Sequence, residues 1–311
     1  VKNGENAGHQ CGQTNCPRGL QPCWIRHLQK PSQGDHLKLA ITNIALPAFD
    51  HLGDFSVLRD EGFLGLEVAL SRIWPEDWNT PSIAEVEVYR RAVNAAGLDI
   101  VGLHSLFWQR EKLTMFGDAA TIEDTKRFLV NLSAICRDLG GRTLIYGSRT
   151  ARTRGESSIA EANLRAADFF AGLCQRIEPH GTCFCIEPLE TAVADYVHSV
   201  LESAEVVRMV DHPAMRVQID AKAMAAAEEI SIETVRAVAD LLVHVHANEM
   251  DLGPVRDPSE VAHAALGACL RDIGYDGYVS IEQVNRDPKN WQAEVARAAH
   301  IVSTAYSGAA S

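Results

Sequence analysis

The sequence predicts a single (β/α)8 TIM barrel of the α/β class with an N-terminal extension. Eight short apolar runs alternate with longer amphipathic stretches, no second composition regime interrupts them, and the pattern fills residues 37–311. Eight βα units in that length match a closed barrel, whereas an open doubly wound sheet more often carries roughly five to seven strands. The runs are LKLAITNIAL (37–46), LGLEVAL (64–70), DIVGLHSL (99–106), TLIYGS (143–148), TCFCIEPL (182–189), MRVQID (215–220), LVHVHANE (242–249) and YVSIEQ (278–283). Ser158 and Glu161 have the spacing of a capping box, and Asp257-Pro258 and Asp287-Pro288 read as a cap followed by a first-turn proline. Gly97, Gly140 and Gly274 read as stops closing the second, third and seventh helices.

Residues 1–36, rich in Gly, Gln, Asn and Pro, read as an extension that is not part of the barrel and is dispensable for folding. Cys11, Cys16 and Cys23 lie there beside His9 and His27, and without a C-x-x-C knuckle they read as unpaired surface thiols. Cys136, Cys174, Cys183, Cys185 and Cys269 sit in apolar or helical stretches, where reduced thiols behave as small hydrophobes.

Forty-one acidic against 29 basic residues give a net charge of −12, a field that repels a phosphate backbone, so nucleic acid is not the expected partner. No run reaches the ~18 apolar residues of a membrane span, and the polar start lacks a secretory core. The expectation is a soluble cytoplasmic protein, with a homo-oligomer allowed.

Strand parity points to the chemistry. Side chains alternate faces along a strand, and the outward face of a barrel strand is apolar to receive the helices. If Phe184, Ile186, Val217, Ile219, Val243, Val245, Val279 and Ile281 face out, then Glu187, Asp220, His246 and Glu282 face in. All four fall near the carboxyl ends of their strands, where barrel enzymes do chemistry. The same parity turns Glu67 and His104 inward as candidate substrate contacts. Three carboxylates and an imidazole in one cavity would repel as bare charges. One divalent cation resolves this, Mn²⁺ first, with Mg²⁺, Co²⁺ and Zn²⁺ as alternatives.

At these residues the sequence resembles the xylose-isomerase-like barrel superfamily, the sugar phosphate isomerase/epimerase group that includes ketose 3-epimerases, inosose dehydratases and endonuclease IV. The resemblance covers residues 37–305 and is carried by CIEPLE with Glu187, VQIDAKAM with Asp220, HVHANE with His246 and IGYDGYVSIEQ with Glu282. It implies that these four residues hold the metal. Ala223 stands where ketose 3-epimerases typically carry a His three residues after the strand-six Asp. The additional carboxylate and Lys motifs of two-metal xylose isomerases are not found, and neither is the His-rich zinc cluster of endonuclease IV.

The reaction expected is isomerisation or epimerisation of a sugar or polyol-like substrate. One of Glu187 and Glu282 removes a proton next to a carbonyl, the other returns one, and the oxyanion is stabilised electrostatically. A dehydratase acting on a keto-sugar or keto-inositol and a non-catalytic carbohydrate-binding barrel are the alternatives. Further substrate contacts are expected from Trp108, within an aromatic group with Trp74, Trp78 and Phe107; from Arg152, flanked by Arg149 and Arg154, toward a phosphate or carboxylate; and from Lys222.

Overall fold

The computed structural model describes residues 38–49 and 51–308. Eight parallel strands close on themselves in chain order: β1 (Lys38–Thr42), β2 (Gly65–Val68), β3 (Asp99–Leu103), β4 (Thr143–Tyr146), β5 (Cys183–Ile186), β6 (Met215–Asp220), β7 (Leu242–Ala247) and β8 (Tyr278–Ile281). Closure is made by β1 against β8, with Leu39 beside Val279 and Ile41 beside Ile281. The predicted (β/α)8 barrel is therefore the observed one. The proposed extension, with Cys11, Cys16 and Cys23, lies outside the described residues.

The helices are α1 (Phe55–Asp60), α2 (Ile83–Ala95), α3 (Ala119–Leu139), α4 (Ile159–Ile177), α5 (Val200–Val210), α6 (Ala221–Ala226), α7 (Ile232–Val238), α8 (His263–Asp272) and α9 (Trp291–Ser307). Their apolar faces pack on outward strand residues such as Phe184, Val217, Val245 and Val279, all fully buried. Among the described residues no helix is long and apolar enough to cross a membrane.

Local signals account for most helix ends. The Ser158–Glu161 capping box opens α4, and Ser82 with Glu85 forms a second one at α2. Gly97, Gly140 and Gly274 follow α2, α3 and α8 with positive φ; at Gly140, φ is 93° and its N–H closes on the last turn of α3. Two helix starts differ from expectation. Asp257-Pro258 lies in the irregular loop before α8, which begins at His263, and Asp287-Pro288 precedes α9, which begins at Trp291. Asp287 spends its carboxylate on a turn, accepting from the Lys289 N–H and from Asn290 Nδ2.

The first apolar run is also shorter as a strand. After Thr42 the chain turns into a 3₁₀ segment, Asn43–Ala45. The Asn43 side chain replaces the ladder, donating to the Ala69 carbonyl at 3.1 Å and accepting from its N–H at 2.8 Å. The ladder is shifted in register at two places, between Leu66 and Glu67 and between Val217 and Gln218. Such bulges re-aim side chains. Here they precede Glu67 and set Asp220 beside His246.

Candidate active site and metal centre

Glu187 follows β5, Asp220 ends β6, His246 lies near the end of β7 and Glu282 follows β8, so neighbouring strands deliver all four to one end of the barrel. His246 Nδ1 is the centre of the group. It lies 3.3 Å from Glu187 Oε1, 3.5 Å from Glu282 Oε2 and 3.8 Å from Asp220 Oδ2. One ligand atom from each residue falls within 4.8 Å of the others.

The opposite ring nitrogen explains why Nδ1 is available. His246 Nε2 meets Glu67 Oε2 at 3.0 Å and Oε1 at 3.2 Å, while His244 Nε2 meets Glu67 Oε2 at 3.0 Å. A carboxylate only accepts, so Nε2 carries a proton and Nδ1 is the nitrogen turned to the three other carboxylates; burial lowers the His246 pKa, but Glu67, Glu282, Asp220 and Glu187 outweigh that and hold it well above its usual value. Nδ1 is buried and makes no well-directed hydrogen bond. Glu67, expected as a substrate contact, is fully buried behind His246 and does not line the cavity. Burial raises its pKa, but the two imidazoles outweigh that and hold it well below the carboxylate range.

The remaining lone pairs are held in place. Asp220 Oδ1 caps α6 by accepting from the Ala223 N–H at 2.8 Å, which leaves Oδ2 for the centre. Asn248 Nδ2 bridges Asp220 Oδ2 at 2.8 Å and Glu282 Oε2 at 2.9 Å, and Gln218 Nε2 donates to Glu187 Oε1 at 3.3 Å. Gly147 completes the cradle, since a Cβ there would run into Glu187 Oε2. Gln218, His244 and Asn248 were legible as inward-facing by parity but carried no further signal of role. Nothing in the sequence marked Gly147.

Crowding shows in the electrostatics. Burial, reinforced by Glu282 and Asp220, raises the Glu187 carboxyl above its usual range despite His246. Burial works the same way at Glu282, but His246, His104 and Asn248 overcome it and pull that carboxyl to about 2. Three carboxylate oxygens, those of Glu187 and Asp220 buried and that of Glu282 partly so, and one orphaned imidazole nitrogen form a donor set that fits a hard or borderline divalent cation and leaves coordination positions open.

The centre forms the floor of a cavity of about 510 Å³. His104, expected at the substrate, lines it; Nδ1 lies 3.2 Å from Ser105 Oγ, and Nε2 is buried and unpartnered. Burial lowers the His104 pKa, against the pull of Glu67 and Glu282. Trp108 and Phe107 line the wall, whereas Trp74 and Trp78 do not; Trp78 is buried against Phe128. Lys222 also lines the cavity, with Nζ 2.9 Å from Glu190 Oε1.

Arg152 does not face the cavity as expected. It is fully buried, and its guanidinium donates to the carbonyls of Glu187 at 2.5 Å, Ser148 at 3.3 Å and Tyr146. These donors are thereby withdrawn from any anion, and they pin the backbone that carries Glu187. Arg154 is likewise engaged, with the Asp195 carbonyl at 2.9 Å.

A family model described as xylose isomerase-like TIM barrel matches residues 55–301. Among curated proteins, the D-psicose 3-epimerase of Ruminiclostridium cellulolyticum is 29% identical over 105 residues, 34% of this chain and 36% of that protein. The chain thus spans about a third of the length of the curated relative it matches. Among solved structures, a D-psicose 3-epimerase from Clostridium cellulolyticum H10 with D-tagatose has a TM-score of 0.73 at 19% identity, covering 87% of this chain and 99% of that one. An L-ribulose 3-epimerase has a TM-score of 0.72 at 17% identity, covering 87% and 94%. The 3-keto-D-glucoside 4-epimerase of E. coli has a TM-score of 0.70 at 18% identity, covering 84% and 98%. At these identities the solved structures share the fold, and the family match over most of the barrel carries the assignment: the chain belongs to the xylose isomerase-like TIM barrel family.

Proposed function

We propose that this protein is a divalent-cation-dependent sugar epimerase or isomerase that works by proton transfer at the carbon next to a carbonyl. One observation carries the reading: of the four side chains around the centre, Glu187 and Glu282 keep 10% and 14% exposure to the cavity, while Asp220 and His246 keep 2% and none. Asp220 and His246 are therefore holders, and the two glutamates can also meet a substrate. The names of the similar proteins, two ketose 3-epimerases and a keto-glucoside 4-epimerase, support the same reaction class. Ala223 in place of the ketose 3-epimerase His keeps the assignment at the level of class.

Glu187, Asp220, His246 and Glu282 would hold the cation, which supplies Lewis-acid polarisation of a carbonyl and stabilisation of the charge that develops on its oxygen. One glutamate takes the α-proton. Return by the other from the opposite face inverts the carbon, while delivery to the neighbouring carbon isomerises the sugar. His104 Nε2 reaches a hydroxyl, and the apolar wall limits water access to the carbanion. That same nitrogen favours a second reading: an unpartnered imidazole N–H that hydrogen-bonds a β-hydroxyl as it departs would divert the reaction to dehydration.

Solvent deuterium exchange across a panel of keto-sugars tests the proposal. Deuterium is expected at the carbon next to the carbonyl, and loss of water from the product identifies the dehydratase. Glu187→Gln and Glu282→Gln each keep an oxygen donor and remove a base, and each is expected to lower kcat by about 10²–10⁴-fold with a smaller change in KM. Near-normal turnover in both variants with cation bound overturns the two-base mechanism. Intact transfer of the substrate's own deuterium to the neighbouring carbon replaces it with a hydride shift.

A further inference from the structure

The cavity is larger and more apolar than a free sugar requires. A hexose has about 12 heavy atoms and at organic packing density fills roughly 200 Å³, less than half of the 510 Å³ present. The remaining space is comparable to a second ring. The two ends of the cavity also differ in chemistry. Glu187, Asp220, His246, Glu282 and His104 gather at the carboxyl ends of the strands, and Leu106, Phe107, Trp108, Leu189, Val193 and Leu252, from the loops after β3, β5 and β7, make most of the remaining wall, with Gln109 and Glu111 among the polar members. A chain-terminal hydroxymethyl group would leave that apolar wall in contact with water. Trp108 remains 57% exposed and Val193 38% exposed at the rim, surfaces that an apolar group would cover.

An anionic group finds a single cationic side chain there, and it is already engaged. Among the described residues lining the cavity, Lys222 is the one Lys or Arg, and its ammonium already lies 2.9 Å from Glu190. Glu111 stands in the same wall. The guanidinium of Arg152 is buried on backbone carbonyls behind Glu187. A phosphate ester would lose hydration without gaining the bidentate partners that compensate for it.

We infer that the cavity takes an uncharged keto-sugar bearing an apolar substituent, in preference to a free ketose or a sugar phosphate. The inference rests on the reading of the floor as a sugar epimerase or isomerase site and specifies its substrate class. Where the substituent is joined through the anomeric oxygen, that carbon no longer offers a carbonyl. The carbonyl must then lie elsewhere on the ring, so the substrate is supplied by an oxidation of a ring hydroxyl.

Binding separates this inference from the underlying reaction. Calorimetry and quenching of tryptophan fluorescence on the Mn²⁺-loaded protein compare 4-nitrophenyl 3-keto-glucoside, free D-fructose and D-fructose 6-phosphate. The aryl keto-sugar is expected to bind at least about tenfold more tightly than fructose, and the phosphate at least about tenfold more weakly than fructose. Trp108→Ala is expected to shrink the aryl preference severalfold, which distinguishes the cavity mouth from unspecific adhesion. Equal or tighter binding of fructose or its phosphate overturns the substrate class, whether or not turnover is seen. An unchanged aryl preference in Trp108→Ala overturns it as well. Tight aryl binding without deuterium exchange on any compound instead counts against the proton-transfer reaction and leaves the cavity assignment standing.

Discussion

At the scale of single residues, Glu67 shows how a group outside the cavity controls one inside it. Its carboxylate accepts from His246 Nε2 and His244 Nε2, and so decides which nitrogen of His246 faces Glu187, Asp220 and Glu282. A Gln at this place keeps the shape, offers one acceptor oxygen to two imidazoles and removes the charge that raises ligand basicity. Glu67→Gln is therefore expected to weaken divalent-cation affinity by about 10–100-fold, measured by calorimetric titration, while the circular-dichroism spectrum stays unchanged. Unaltered affinity would reduce Glu67 to packing. Parity alone makes Glu67 legible as inward-facing, because one face of β2 must be apolar, but parity cannot tell a residue lining the cavity from one lying beneath it. Glu67 is the third of the four β2 residues, and its partners His244 and His246 come from β7, so its depth depends on a strand far away in the sequence. Arg152 is illegible for a related reason. Its partners, the carbonyls of Tyr146, Ser148 and Glu187, lie at the end of β4 and just after β4 and β5, which are brought together only by the pairing of those two strands. Burial pushes its pKa down to about 10, which still leaves the guanidinium charged at neutral pH.

At the scale of elements, starts that rest on reciprocal side-chain bonds were readable and starts inferred from Asp-Pro were not. Ser158 Oγ accepts from the Glu161 N–H at 3.3 Å, and Glu161 Oε2 accepts from the Ser158 N–H at 2.9 Å. Both partners lie within one turn, so the sequence contains the whole motif. Asp257-Pro258 and Asp287-Pro288 are equally local, yet the chain after each continues in a loop before its helix. Ser158→Ala removes the bond to the Glu161 N–H and is expected to lower stability by about 1 kcal/mol, a fall of roughly 1–2 °C in Tm for a chain of this size. Differential scanning calorimetry checks this, and since neither Ser158 nor Glu161 lines the cavity, cation affinity is expected to stay constant. Asp220 illustrates the same economy inside the site: Oδ1 starts α6 while Oδ2 faces His246, so the turn that ends β6 also orients an oxygen toward the centre.

At the scale of the whole molecule, the barrel closes where its last units meet its first strand, and a buried imidazole sits in that seam. β8 pairs with β1, and α8 packs on α9 closely enough that Gly267 faces the backbone of Ala305 and Tyr306, where a Cβ would collide. Beside this contact His263 Nδ1 lies 2.9 Å from the Tyr306 hydroxyl, and its Nε2 is buried 3.8 Å from Glu249 Oε1 without a hydrogen bond. Burial lowers the His263 pKa more than Glu249 raises it, so the folded protein keeps the ring neutral. The unfolded chain has an ordinary imidazole, with a pKa of about 6.5. Below that value the unfolded state therefore binds a proton that the folded state refuses, and linkage drains stability as pH falls from about 6.5 through the lower folded pKa. Above 6.5 both states are neutral and the contribution is complete. Other groups titrate in the same range, with buried His104 adding in the same direction, so the measurement must be differential. Thermal midpoints of the wild type and of His263→Gln between pH 8 and pH 5 isolate the effect: the stability advantage of the wild type is expected to shrink on acidification, and a gap that stays constant with pH would show that His263 does not titrate with unfolding.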